Sequence, residues 1–180
     1  YFTFQLATPV LFAYHGAVVA GQMGMSQGIA SAVTTLAIAW ITTKAPLFGQ
    51  LIARREFAEL DRRFFLVARQ ASMMAAGLGT VIWLGVVAAQ MIDGPWSGRF
   101  LSPLPMALLV LASVVQVLIY AESVYLRAHK EEPLLACSIA VAILAALSTY
   151  VLGRRLGPVG IAAGYFVVML TAGLAWATVV

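Results

Sequence analysis

Charge is scarce in this sequence of 180 residues, because Asp, Glu, Lys and Arg together make up 10% of it. An ordinary soluble domain carries roughly 25% charged residues. A chain with less than half of that cannot cover a surface that faces water. Cys137 is the one cysteine, which excludes a disulfide or a cysteine-based metal site within the chain. Asparagine is absent, which excludes N-glycosylation sequons.

Catalytic motifs are missing as well. The sequence contains no HExxH, no phosphate-binding glycine loop and no GxSxG, and its two histidines lie far apart. Of the seven acidic residues, only Glu122 falls inside a long apolar stretch. These absences predict a protein that is not an enzyme and that needs no metal and no cofactor. The small net charge of +4 predicts that nucleic acid is not a partner.

Long apolar stretches make up most of the chain. Hydrophobic residues account for 62% of it and the mean hydropathy is +0.95, whereas about 20 apolar residues suffice to cross a bilayer core. Gly, Pro and charged residues interrupt these stretches where helices end. The pattern predicts an all-α, polytopic membrane protein whose residues 1–180 form a single transmembrane unit of about six helices. The predicted helices are at about 2–20, 24–52, 66–92, 103–128, 133–152 and 158–180, with a tight turn at 21–24.

The basic residues are distributed unevenly between the two sides of the predicted bundle. Cytoplasmic loops carry an excess of Lys and Arg, so the richer side identifies the cytoplasm. Both ends of the chain then face the cytoplasm, and we expect the sequence to be an internal or C-terminal piece of a longer membrane protein. The richer side holds eight of the eleven basic residues, Lys44, Arg54, Arg55, Arg62, Arg63, Arg69, Arg127 and Lys130, and the other holds Arg99, Arg154 and Arg155.

One charged segment, residues 54–69, is amphipathic. Apolar residues such as Leu60 and Phe64 recur at helical spacing, and charged residues occupy the opposite face. Glu59 is spaced for i,i+4 ion pairs with the arginines four residues before and after it. We expect the segment to lie in the cytoplasmic interface, where its basic face contacts anionic lipid headgroups. The interfacial basic residues are Arg54, Arg55, Arg62 and Arg63.

Three predicted helices carry stripes of polar or small residues. In the first, Gln5, Thr8 and His15 share one face beside Pro9, as in a helix that lines a water-filled cavity. A hydrogen-bond network between helices also explains this stripe. In the second and sixth, small residues recur every three or four positions, which either allows close helix packing or leaves room for a path. They are Gly24, Gly28, Ser31, Thr35, Ala39 and Thr42, and then Gly160, Gly164, Thr171 and Ala175.

The fourth predicted helix has polar side chains within its apolar sequence. Gln116 shares a face with Ser113, Tyr120 and Ser123, and we interpret it as a candidate substrate contact. Glu122 lies roughly 9 Å from the predicted cytoplasmic end of the helix. Two roles stay open for Glu122: an interfacial acid paired with a nearby arginine, or a site for the proton or cation of a coupled transporter.

Several stretches resemble a known family of transporters. They are GAVVAGQMGM at 16–25, WITTKAPLFG at 40–49, LIAR at 51–54, ELDR at 59–62, YLRAHKEEP at 125–133 and GPVGIAAGY at 157–165. Through them the sequence resembles polysaccharide-export flippases of the multidrug/oligosaccharidyl-lipid/polysaccharide (MOP) exporter superfamily. These flippases move polyprenyl-pyrophosphate-linked oligosaccharides across the bacterial cytoplasmic membrane for the biosynthesis of cell-surface polysaccharides such as O-antigen. The resemblance covers most of the chain.

The resemblance implies a carrier of about twelve helices in two six-helix lobes, with this chain as the C-terminal lobe. Its partners are then the lipid-linked oligosaccharide, membrane lipids and the other lobe. Lys44 is the first candidate to bind the pyrophosphate, since an ammonium is a compact charge with three donors; the alternative is an interfacial anchor. Gln5, His15 and Gln116 are further candidates for substrate binding, and Glu122 for ion coupling.

Two other functions stay open. A cation-coupled multidrug exporter of the same superfamily is expected to carry a carboxylate deep in a helix, whereas Glu122 is near the end of its helix. A membrane-embedded polysaccharide polymerase or ligase typically has a large outward loop with clustered Arg or His. The longest outward loop predicted here, at about 93–102, contains only Arg99.

Overall fold

Five α-helices make up the structure, a computed structural model that describes residues 2–92, 98–128 and 134–177. Within these three ranges there is no β-strand, so the prediction of an all-α protein is confirmed. The helices are α1 (Phe2–His15), α2 (Ala17–Ala53), α3 (Phe57–Met91), α4 (Pro103–Ala128) and α5 (Leu134–Ala177).

Four of these helices are long and apolar enough to cross a membrane. The spans are Ala17–Ala53, Phe57–Met91, Pro103–Arg127 and Ile139–Ala172. Large apolar side chains lie exposed on their outer faces, for example Met73 at 63% and Val81 at 67% of their surface. Water would be a poor solvent for such faces, and lipid is a good one. The chain is therefore an all-helical, multi-pass membrane protein.

Gly16 separates α1 from α2. Its φ of 91° and ψ of 170° lie in a region that is essentially open to glycine alone. Thr8 Oγ1 lies 3.9 Å from where a Cβ on Gly24 would be, and these two residues are equally distant from residue 16 along the chain. The two helices are therefore antiparallel, with Gly16 at the apex. The predicted turn at 21–24 is wrong, because those residues have helical backbone within α2.

α5 folds back on itself at Gly157, where the φ of 61° and ψ of −142° are not helical. Gly160 lies against the carbonyl oxygen of Leu152, and Gly164 lies against the hydroxyl of Ser148. In a straight helix these pairs would be about 12 and 24 Å apart. α5 therefore has two antiparallel arms, 134–156 and 158–177. They correspond to the predicted helices at 133–152 and 158–180, of which 178–180 lie outside the described residues.

α2 and α3 are longer than a bilayer core. They contain 37 and 35 residues, about 55 and 52 Å, against a hydrocarbon thickness of about 30 Å. A short turn joins them, in which the N–H of Glu56 donates to the carbonyl of Leu51 and Arg55 adopts a φ of 58°. This is a Schellman-type helix end with an arginine where glycine is usual. The third predicted helix, at 66–92, thus begins nine residues earlier, at Phe57.

The amphipathic segment 54–69 is continuous with the third helix. From Phe57 onward it forms the first turns of α3, and its apolar face packs against protein. The ring centroid of Phe64 lies 6.5 Å from that of Phe48 in α2 and 4.7 Å from that of Tyr125 in α4. Burial against these rings removes the apolar face from lipid.

The charged face of the same segment remains exposed. Nε of Arg63 donates to Glu59 at 2.6 Å, so one predicted i,i+4 ion pair is confirmed. Arg55 lies in the turn before α3 and has no helical relation to Glu59, so the other predicted pair is wrong. Arg54 and Arg62 are exposed with the rest of this face. Arg69 is exposed further along α3, about 18 Å from Phe57.

The two ends of the bundle carry different numbers of basic residues. At one end, the side-chain amide of Gln22 donates to Gly98 O at 2.8 Å, and the guanidinium of Arg154 lies 5.3 Å from the ring of Tyr14. Arg99 and Arg155 belong to the same end as Arg154. At the other end, the α2–α3 turn and the end of α4 meet through a hydrogen bond from Tyr125 to Asp61, at 2.6 Å. Lys130 lies outside the described residues.

Candidate functional site

A cleft of about 720 Å³ lies between α1, α2 and α4. Its volume is within the range of roughly 300–1,000 Å³ that is typical of ligand pockets. Gly24, Gly28, Ser31 and Thr35 are exposed along its mouth, whereas its deeper wall is buried. Seven lining residues are polar, Thr8, Gln27, Ser31, Thr34, Thr35, Ser113 and Gln116; the others are Pro9, Gly24, Gly28, Ala30 and Ile38.

The small residues of α2 create the space. Gly24, Gly28, Ser31 and Thr35 recur every three or four positions and so lie on one face of the helix. Their short side chains leave a channel along that face, and a Cβ on Gly28 would meet nothing within 4 Å. The sequence left two roles open for this stripe, close helix packing or room for a path. For four of its residues, the structure shows room beside the helix.

The hydroxyl groups of the cleft act mainly as acceptors toward anything that enters it. Thr34 donates to Ala30 O at 3.0 Å, and Ser113 donates to Leu109 O at 2.9 Å. Thr35 likewise donates to the carbonyl one turn earlier, at 2.8 Å. Each of these hydroxyls thus donates its one proton to a carbonyl of its own helix, and its oxygen lone pairs remain available to accept a hydrogen bond.

The two amide side chains of the cleft, Gln27 and Gln116, supply its available N–H donors. Gln27 is only 8% exposed, and it makes no hydrogen bond with any residue that the structure describes. Gln116 accepts a hydrogen bond from the hydroxyl of Tyr165 at 3.3 Å, which leaves its amide N–H groups available. A buried amide without a partner costs about 1–3 kcal/mol. The amide of Gln27 faces the open cleft, where a molecule that enters can pair with it.

The cleft is uncharged. No lining residue that the structure describes carries an ionisable side chain. It contains neither a general acid or base nor a nucleophile paired with one. Across the described part of the chain, no group of three or more His, Cys, Asp or Glu is placed to hold a metal ion. The arrangement can bind a ligand through neutral hydrogen bonds, with donors from the amides and acceptors from the hydroxyls.

The polar residues singled out in the sequence that the structure brings together in the cleft are Thr8, Ser31, Thr35, Ser113 and Gln116. Gln5 lies in the first turns of α1, but its side chain falls outside the described residues. Sequence reasoning missed Gln27, which is the most deeply buried amide of the site. Its spacing held the signal, because Gln27 is three residues after Gly24 and four before Ser31, on the same helix face.

His15 lies outside the cleft. Its Nε2 donates to Gly153 O at 2.9 Å, and its ring lies 3.3 Å from where a Cβ on Gly157 would be. Tyr14 next to it has its hydroxyl 3.5 Å from that of Tyr150. His15 thus ties the apex between α1 and α2 to the apex of α5, which favours the packing alternative for this residue.

Lys44 also lies outside the cleft lining. It is roughly 140–180° around α2 from the small residues that face the cleft, and about 9 Å beyond Ile38. Its Nζ lies 5.1 Å from the centroid of the Trp40 ring, which is a cation–π distance. Lys44 is half-buried near the end of the bundle that is rich in basic residues, so an anion can reach it there and not within the cleft.

Glu122 is half-buried in α4, away from the cleft lining. Its Oε2 is buried without a hydrogen-bond partner among the described residues. That oxygen is therefore not paired with an arginine, as the interfacial alternative requires. An unpaired buried carboxylate oxygen is costly, so an ion or proton at this position stays a hypothesis with a structural reason behind it.

The cleft, its free amides and the unpaired carboxylate are thus the features with which this chain can bind a partner. The amides and the carboxylate lie on α2 and α4, two of the helices that are long and apolar enough to cross a membrane; the third side of the cleft is the shorter helix α1. Comparison of the chain with protein-family models, with curated proteins and with solved structures finds no match.

Proposed function

We propose that this chain is the six-helix C-terminal lobe of a MOP-superfamily flippase, which translocates a polyprenyl-pyrophosphate-linked oligosaccharide for cell-surface polysaccharide biosynthesis. The observation that carries the proposal is the polar cleft of about 720 Å³ between apolar helices. Helices that only pack against one another in lipid close such gaps through dispersion contacts. A polar space that remains open among them is typical of a transport path.

Six crossings follow if α1 and both arms of α5 span the membrane together with α2, α3 and α4. An even number of crossings places both ends of the chain on one side. The α2–α3 turn lies on that same side and is rich in arginine, which assigns it to the cytoplasm by the positive-inside rule. The bacterial cytoplasmic membrane, which the family resemblance implies, is the location that we propose.

The pyrophosphate of the substrate belongs at headgroup level in this proposal. Lys44 lies at the proposed cytoplasmic end of α2, outside the uncharged cleft, and its ammonium is a compact charge that suits a phosphate. The interfacial arginines Arg54, Arg55, Arg62 and Arg63 lie near the same end and attract anionic lipid. The other lobe provides the opposite wall of the path.

Transport without chemical change is the property to test. A bacterial strain that lacks the gene should accumulate lipid-linked repeat units in the cytoplasmic leaflet. The purified complete protein in proteoliposomes should move a polyprenyl-pyrophosphate-linked oligosaccharide from one leaflet to the other. Accumulation of single, unpolymerised repeat units outside the cell would contradict the proposal and favour the polymerase or ligase alternative.

Glu122 favours a second candidate, a cation-coupled multidrug exporter of the same superfamily. Its buried, unpartnered Oε2 is the kind of group that binds a coupling proton or cation. An exporter of this kind would expel a cationic dye from loaded vesicles under a proton or sodium gradient. We expect no dye efflux. If efflux occurs and stops when the gradient is abolished, the protein is the exporter.

A further inference from the structure

Gln27 and Gln116 approach the cleft from α2 and α4. We infer that this cleft binds the uncharged sugar part of the lipid-linked substrate, with the amides of Gln27 and Gln116 as its hydrogen-bonding anchors. The inference rests on the proposed function, and it adds which part of the substrate this lobe holds and which residues hold it.

The unpartnered state of Gln27 is the first ground. Its side chain is more than nine-tenths buried and lines the cleft, yet it bonds to no described residue. Buried amides in native proteins are nearly always hydrogen-bonded. A ligand in the cleft that offers both a donor and an acceptor would satisfy this amide.

The absence of charge in the lining is the second ground. Among the described lining residues, a pyrophosphate in this cleft would meet no Lys, Arg or His, and an organic cation would meet no carboxylate. Burial of either charge without a counter-charge is costly in a membrane-spanning helix bundle. A wholly apolar ligand would leave Gln27 unpaired. A neutral ligand rich in hydroxyl groups avoids all three costs.

The division of donors and acceptors is the third ground. The hydroxyls of Thr34 and Ser113 donate to their own helices and present lone pairs, while the amides of Gln27 and Gln116 present N–H groups. A sugar hydroxyl is both a donor and an acceptor, so neighbouring hydroxyls on one sugar can bond to both kinds of group. The cleft has a volume of about 720 Å³, and the pyrophosphate, which finds no cation among the described lining residues, stays outside it.

The test uses protection of a cysteine at the mouth of the cleft. Ser31 is exposed there, and the Ser31→Cys variant is made in the complete protein after replacement of Cys137 and any other cysteine. Its rate of labelling by a small maleimide is measured in nanodiscs with three probes. They are a free neutral trisaccharide, polyprenyl pyrophosphate without sugar, and the same lipid carrying that trisaccharide.

We expect the free trisaccharide and the sugar-bearing lipid to slow labelling, and the sugar-free lipid to leave it unchanged. Gln27→Leu, added to Ser31→Cys, should raise the concentration of trisaccharide needed for half-protection about 3- to 10-fold, the effect of one lost hydrogen bond. Gln50→Leu is the matched control, because Gln50 is an exposed glutamine of α2 outside the cleft. It should change nothing.

Equal protection by the sugar-free lipid would overturn the inference, since the cleft would then hold prenyl chain or pyrophosphate. Protection by none of the probes would overturn it as well. Neither outcome depends on whether the Gln27 variant folds, because both are read in Ser31→Cys alone. The proposed function is judged separately: a protein that moves the sugar-bearing lipid between leaflets while its cleft stays unprotected is a flippase whose sugar site lies elsewhere.

Discussion

Replacement of Gly157 by alanine tests the fold-back of α5. The backbone there has a φ of 61° and a ψ of −142°, and a residue with a Cβ pays about 1–3 kcal/mol in such a sparsely populated region. The new methyl group would lie 3.3 Å from Cε1 of His15, so the ring must move by a few tenths of an ångström. Alanine gains no helix propensity in return, because residue 157 is not helical. We expect a loss of stability of about 1–3 kcal/mol.

The assay is thermal unfolding of the purified protein in detergent, followed by the fraction that remains monodisperse. At about 2–4 °C per kcal/mol for a chain of this size, the apparent Tm should fall by about 2–12 °C. Gly21→Ala is the control: it lies within α2, and its added Cβ would meet nothing within 4 Å. Helix propensity favours alanine there by up to about 1 kcal/mol, so the Tm should hold or rise. Equal Tm values for the two variants would refute the fold-back at Gly157.

Three further predictions concern topology, the pyrophosphate and coupling. In a cysteine-free background (Cys137 replaced), Glu59→Cys should resist a membrane-impermeant maleimide in intact cells and Arg154→Cys should react; labelling of the former would reverse the topology. Lys44→Ala should weaken binding of the sugar-bearing lipid about 10- to 150-fold, the effect of a lost charged hydrogen bond of about 1.5–3 kcal/mol, with Lys44→Arg intermediate. Full activity in both would make Lys44 an anchor. Glu122→Gln should remove any proton or sodium dependence of transport, and unchanged dependence would assign Glu122 a structural role.

The cleft could be predicted only in part from the sequence. The small residues of α2 and the polar face with Gln116 were recognisable from their spacing, because helix periodicity alone decides which residues share a face. The sequence did not show which helix faces pack against one another. His15 shares a helix with Thr8, but its ring bonds to Gly153 in α5. Gln27 shares a helix face with the small residues of α2, but only the packing of α1 and α4 around that face shows that its side chain is buried in a cleft without a hydrogen bond to a described residue.

The sequence by itself determined that this chain is a membrane protein, that it is all-α, and that its basic residues are concentrated toward one end. Those properties follow from composition and local spacing, because hydropathy adds up residue by residue and the helical period is visible in the spacing of neighbouring residues. The tertiary structure decided where the chain reverses, at Gly16 and Gly157 and not at 21–24. It also decided that the charged segment continues into α3 and that the cleft stays open. These depend on contacts between residues far apart in the chain, which no local pattern encodes.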